Sequence, residues 1–128
     1  MKQLTLIMIF TLMLFSGCSK QADTDIAGGK IFKSHSIKIS ITASIDFSVN
    51  LSARKNEETI REILDDKTST NGKYDFTTTQ NETNFIYAEI KSAGGGTLSY
   101  TINKDGNVVA QKTDQPLNAR VNIEYEIR

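Results

Sequence analysis

The chain has 128 residues, with 15 Lys and Arg against 15 Asp and Glu, a balance that leaves no basic surface of the kind nucleic-acid binding needs. One Cys rules out an internal disulfide, and one Cys with one His cannot supply the ligand set of a structural zinc site. There is no Trp and one Pro, and Ser, Thr and Asn are abundant, which suits β structure with polar outer faces.

Lys2 gives a short positive start, and residues 4–15 are apolar apart from Thr5 and Thr11. That is the length of a signal-peptide hydrophobic region, and a membrane span needs about 20 apolar residues. The run ends on Phe15-Ser16-Gly17-Cys18, and Ser19-Lys20-Gln21 halts it with polar groups. This end resembles a bacterial lipoprotein signal, in which small residues precede a cysteine that receives a diacylglyceryl thioether before cleavage. Phe15 stands where such signals usually carry Leu. The resemblance implies a signal peptide over 1–17, lipidation of Cys18, and a mature chain held by palmitate-type acyl groups on an envelope membrane, at the outer membrane or cell surface. An ordinary secretory signal with an incidental cysteine and an uncleaved anchor are the alternatives. A lone thiol in an exported protein is an odd residue to keep, and acylation removes that oddity. Each buried methylene contributes about 0.8 kcal/mol, so two or three acyl chains make a lasting anchor.

Cleavage before Cys18 leaves 111 residues, the size of one domain. Residues 18–33 are poor in apolar side chains and contain Gly28-Gly29, which reads as a flexible tether with a reach of roughly 20 Å. From Ile37 the period becomes two. Ile37, Ile39, Ile41, Ala43, Ile45, Phe47, Val49 and Leu51 alternate with polar residues, the mark of half-buried strands. The run is too long for one ordinary strand, and a break near Ala43-Ser44 divides it into roughly 36–43 and 45–53.

Residues 56–66 are ambiguous. Ile60, Ile63 and Leu64 fall at helical spacing and Asn56 can cap a short helix, whereas a β-rich neighbourhood favours an extended edge segment. Residues 68–72 carry turn chemistry, and Tyr74, Phe76 and Thr78 alternate after them. Residues 84–91 are apolar on both faces, as expected of a central, well-covered strand. Gly94–Gly96 ends it. Leu98, Tyr100 and Ile102 alternate up to Asn103-Lys104-Asp105-Gly106-Asn107, a hairpin signal, and residues 108–112 return until Pro116 stops them. Ala119, Val121, Ile123, Tyr125 and Ile127 form a last strand. About seven short strands over 34–128 make an all-β, immunoglobulin-like β-sandwich, with one short helix near 56–66 as an option; a small barrel is the alternative.

Phe85-Ile86-Tyr87-Ala88 and the run from Gly96 through Asn103-Lys104-Asp105-Gly106-Asn107-Val108-Val109 resemble the C-terminal half of the MmpS-like domains. Those are small envelope β-sandwiches, some of which assist resistance-nodulation-division exporters. The resemblance extends over about 36–127 and implies the sandwich fold and an accessory role beside an exporter. The chain departs from the family in lacking a Leu-Pro-Trp segment near Lys73-Tyr74, and in a lipoprotein-type signal where mycobacterial members have a transmembrane anchor.

Candidate chemistry is sparse. His35, between Ser34 and Ser36, is the only imidazole for a nucleophilic relay, no Gly-x-Ser-x-Gly turn is present, and an exposed or strand-edge histidine is expected. Asn103-x-Asp105-Gly106 matches the middle of a calcium loop, but Lys112 falls where a bidentate Glu belongs, so a hairpin turn is expected. Gly94–Gly96 lacks the Lys-Ser/Thr of a phosphate cradle. Glu57, Glu58, Glu62, Asp65 and Asp66, interleaved with Arg54, Lys55, Arg61 and Lys67, read as a solvated charged face, with an acidic-residue hydrolase as the less favoured reading. The expectation is a non-catalytic module without metal or cofactor, anchored through Cys18. It presents a protein or glycan partner with the loops 68–72, 80–84 and 92–97, because scaffolds carry function on loops.

Overall fold

The computed structural model describes residues 25–27 and 30–128; the expected signal peptide over 1–17, Cys18 and the remainder of 18–24 lie outside the described residues. Within the segment expected to carry no fold of its own, β1 (Asp25–Ala27) pairs antiparallel with β2 (Lys30–Phe32) as a small hairpin. The domain proper is built from β3 (Ser34–Ala43), β4 (Phe47–Arg54), β5 (Glu62–Lys67), β6 (Lys73–Asn81), β7 (Phe85–Ser92), β8 (Gly96–Lys104), β9 (Asn107–Leu117) and β10 (Arg120–Glu126). They form two four-stranded antiparallel sheets, ordered β10-β7-β4-β5 and β6-β3-β8-β9, packed face to face as a β-sandwich. That is eight strands where about seven are expected from the sequence. From β3 onward, β4–β5 and β8–β9 are hairpins within one sheet and the other connections cross between sheets.

The alternation of residues 37–51 explains the crossing. β3 lies in one sheet and β4 in the other, so both must aim the same parity of residues at the shared interior. Ile37, Ile39 and Ile41 from β3 meet Phe47, Val49 and Leu51 from β4 in one buried cluster, with Ala43 and Ile45 partly buried against it. Side chains make the break where Gly and Pro are missing. The Ser44 hydroxyl accepts from the Thr97 N–H at 2.9 Å, and the Asp46 carboxylate accepts from the Thr70 and Asn71 N–H groups at 3.0 and 2.7 Å. Backbone groups complete it, with Ala43 N–H donating to the Gly72 carbonyl at 2.8 Å. A side chain at Gly72 would place its Cβ 2.9 Å from the Ala43 oxygen, and φ there is +78°.

β7 is central, between β10 and β4, as its composition leads one to expect. Ile86, Ala88 and Ile90 face the core. Leu98 and Ile102 of β8 join them, as do Ile123 from β10 and Ile127 just after it. The β8–β9 turn has Asp105 at φ 50° and Gly106 at φ 85°, the left-handed pair of a two-residue hairpin.

Two sequence expectations are corrected. Residues 56–66 contain no helix. Asn56 and Glu57 turn the chain, and β5 pairs with β4 as an edge strand. An isolated helix this short is marginal in water, and the interior offers its stripe no place: Ile60 and Ile63 are 78% and 64% exposed. The strand instead satisfies the free edge of β4. Its register slips opposite Leu51 and Ser52, so that Leu64 packs against the core while neighbouring Asp65 accepts from the Tyr74 hydroxyl at 2.9 Å. That bond ties the edge of one sheet to the edge of the other, and burial together with Asp65 pushes the Tyr74 phenol well up from its usual pKa. Pro116 likewise does not stop β9, which continues to Leu117 with Pro116 opposite Thr97. β9 is the outermost strand of its sheet, where a missing N–H costs no ladder bond.

The burial pattern separates the two isoleucine sets. In urea unfolding, Ile41→Ala should cost about 2–5 kcal/mol, whereas Ile60→Ala should stay within about 0.5 kcal/mol. Comparable losses at the two positions would contradict the exposure of Ile60 outside the core.

Candidate functional site

The three loops expected to carry function do not converge. Loops 68–72 and 92–97 flank the β3–β4 crossover, since Gly72 and Thr97 offer their carbonyls to Ala43 and Ser44. Loop 80–84 lies at the opposite end, where Glu82 N–H donates to Lys33 at 2.8 Å and Thr83 N–H to Ile127 at 2.7 Å. Asp46 also receives the Ser69 hydroxyl at 2.7 Å, and these bonds lower its carboxyl pKa. The 68–72 loop is therefore held to the framework.

His35 is not exposed. Its side chain is 4% accessible, with Nδ1 2.5 Å from Asp105 Oδ2 and Nε2 3.3 Å from Glu82 Oε1. Asp105 also accepts from the Ser36 N–H at 2.9 Å. The ring thus clamps the start of β3 between the β6–β7 and β8–β9 turns. With both ring nitrogens against carboxylates, it has no nitrogen left to take a proton from a nucleophile. The two carboxylates lie against different ring nitrogens, and among the described residues no group of three His, Cys, Asp or Glu converges to hold a metal ion. Asp105 is spent on this clamp and on its hairpin, so the calcium-loop match reduces to turn geometry. Gly94 and Gly95 take positive φ between β7 and β8, and a strand follows them.

The acidic residues of 57–66 are dispersed. Asp65 is engaged by Tyr74, and Glu57, Glu58, Glu62 and Asp66 are exposed. Glu58 and Glu62 share a shallow depression, of about 140 Å³, which Lys55 and Ile60 also line.

A groove lies on the outer face of β10-β7-β4-β5, a surface that no local run of the sequence marks. The registers stack its outward residues into rungs across three strands. Asn50, Glu89 and Asn122 form one rung, Ser52, Tyr87 and Glu124 the next, and Arg54, Phe85 and Glu126 the third. Successive rungs lie about 7 Å apart along the strands. The first two line a groove of about 320 Å³, walled by Arg61 from the segment leading into β5. Ser52, although on an outward row, is only 6% exposed and makes part of the floor.

Aromatic and cationic groups order this face. Phe85 and Tyr87 lie nearly parallel, with ring centroids 6.3 Å apart. The Arg54 guanidinium sits 4.6 Å from the Phe85 ring centre, donates through Nε to the Tyr87 hydroxyl at 3.2 Å, and reaches the Glu58 carbonyl at 3.0 Å. Arg61 lies over Tyr87 at 3.7 Å. Glu89 bonds to Lys91 at 2.7 Å with Arg120 Nε at 3.7 Å, and Lys91 chiefly lowers its pKa. Among the described residues, neither Arg61 nor Glu124 has an opposite charge within ion-pair distance. The second apolar face of 84–91, read as covered, is thus covered by two arginines.

The clamp makes a pH prediction. Hydrogen bonds from His35 first, and from Ser36, hold the Asp105 carboxyl below its ordinary value. Its contribution is then complete above the unfolded value of about 3.9 and is lost as pH falls through the lower folded value. Urea unfolding of wild type and Asp105→Asn across the acid range should show the variant less stable near neutrality and with a shallower acid slope. Parallel slopes would remove Asp105 from the acid response.

No model of a known protein family matches the chain, and no curated protein matches it.

Proposed function

We propose that the chain is a bacterial envelope lipoprotein, held on a membrane by acyl groups on Cys18, whose β-sandwich binds a partner in the groove across β4, β7 and β10. The apolar run 4–15 ending on Ser16-Gly17-Cys18 supports the anchor. One observation carries the binding reading: Arg61 lies on Tyr87 at the wall of a groove whose floor is laid by polar rungs. Stacking restrains the guanidinium before any ligand arrives, which lowers the entropy cost of contact. The role is non-catalytic. A general acid on this face would need a carboxyl pushed upward by burial, and Glu89 is instead shifted down by its cations.

Two measurements test this. Cys18→Ala should release the chain from membranes in cell fractionation without changing its melting temperature; full membrane retention would contradict the anchor. Cross-linked envelopes should yield a partner with wild type and with Thr77→Ala, on the outer face of the other sheet, and lose it with Arg61→Ala. Equal capture by all three would contradict the groove.

A further inference from the structure

A sheet edge is a template for another strand unless something blunts it: a short or bulged strand, a Pro, or an inward charge. β5 is short and bulged, and β9 carries Pro116 and two breaks in register. β10 has none of these. It runs Arg120-Val121-Asn122-Ile123-Glu124-Tyr125-Glu126 in unbroken register with β7, without Gly, Pro or Lys. Its inward row, Val121, Ile123 and Tyr125, is apolar and packs on the core.

The hydrogen bonds show which of its peptide groups are free. Ser92 N–H donates to the Ala119 carbonyl at 3.1 Å and Ile127 N–H to the Asn84 carbonyl at 2.9 Å, and both bonds continue the β7–β10 register. Bonded pairs alternate along an antiparallel ladder. Val121, Ile123 and Tyr125 therefore spend their peptide groups on β7, while those of Arg120, Asn122, Glu124 and Glu126 point away from the sheet. Among the described residues no hydrogen bond reaches those outward groups.

The free residues are symmetric about Ile123. Laid antiparallel on a second copy with the two-fold at Ile123, β10 sets Arg120 opposite the copy's Glu126 and Asn122 opposite its Glu124. Opposite charges meet at both ends, a favourable cross-strand pairing. Within one chain Arg120 lies 3.7 Å from Glu89 and Arg128 lies 2.9 Å from Glu126, so the pairing joins two small charge networks. The Asn122 carboxamide can donate to the Glu124 carboxylate, which has no ion partner within its own chain. Inward, Val121 meets Tyr125 and Ile123 meets itself, in the non-bonded pairs where side chains come closest. β6, the other edge in unbroken register, has no such match. Turned on itself about its midpoint, Thr77, it opposes Asp75 to Thr79 and Lys73 to Asn81.

We propose that β10 is a self-pairing edge, through which two copies of this chain join their β10-β7-β4-β5 sheets into one continuous sheet. Asn122 and Glu124 also line the groove, so the pairing sets two grooves side by side across the two-fold. Only that consequence uses the groove reading above.

The test is sedimentation equilibrium of the intact chain in density-matched detergent. Wild type should be dimeric. Arg120→Glu or Glu126→Arg brings like charges together at both ends and should weaken the dimer about tenfold or more. The double variant Arg120→Glu/Glu126→Arg should regain it, as should an equimolar mixture of the two single variants. Thr77→Lys, on β6, should leave the dimer as it is, and unchanged circular dichroism separates lost pairing from lost fold. A wild type that stays monomeric up to about 1 mM, a dimer indifferent to both single substitutions, no recovery in the double variant, or equal loss with Thr77→Lys would overturn the proposal. Arg61 tests the groove, whereas Arg120 and Glu126 test the edge, so either reading can fail while the other stands.

Discussion

The structure depends on a parity constraint at the crossover from β3 to β4. Two sheets share one interior, and the chain enters that interior from both sides with a single alternating row, Ile37 to Leu51. The row keeps its parity because the link is only three residues long, so the odd-numbered set that faces inward in β3 faces inward again in β4. Ser44 and Asp46 hold the link by accepting backbone N–H groups from the β8 start and from the 68–72 loop. One three-residue link, Ser44 to Asp46, thus joins the sheets and fixes two neighbouring connections. Shifting this register by one residue would turn three isoleucines and a phenylalanine toward water.

Closing the sandwich takes fewer bonds, and they are polar. Tyr74 to Asp65 joins the two sheet edges on one side, and the His35 clamp gathers the start of β3 with two turns. Both lie at the margin of the core, where a hydrogen bond to a charged group is worth more than a neutral one. With the inward faces committed to packing, chemistry is left to the outward faces. On β6-β3-β8-β9 the outward side includes Lys38, Ser40, Thr77 and Thr79, with Ser40 bonded to Asp75 at 2.7 Å. The outward face of β10-β7-β4-β5 carries instead two aromatic rings, two stacked arginines and a groove.

Much of the fold was legible because alternation is a local signal with a single physical cause. The inward residues of β3, β4, β8 and β10 are those that the period of two selects. The errors came where a long-range term outweighed a local one. Ile60, Ile63 and Leu64 have helical spacing, yet the unpaired edge of β4 captured 62–67. Pro116 reads as a stop only if β9 has neighbours on both sides, and strand order is not written in the residues around it. His35 looked exposed between two serines because Asp105 and Glu82, its partners, are 70 and 47 positions away. The groove was hidden for the same reason. Phe85 and Tyr87 were visible as a second apolar face, but Arg54 and Arg61 were grouped with the acidic residues beside them in sequence. Only the register of β4 on β7 sets Arg54 opposite Phe85 and Ser52 opposite Tyr87.

We propose β10-β7-β4-β5 as the working face of the sandwich. Its most direct test is photo-cross-linking in intact cells from single reporter positions on the two outer faces: Asn122, and as a counterpart Thr77. A discrete adduct from position 122 and none from 77 is the expected result. An adduct confined to position 77, or equal adducts from both, would contradict it.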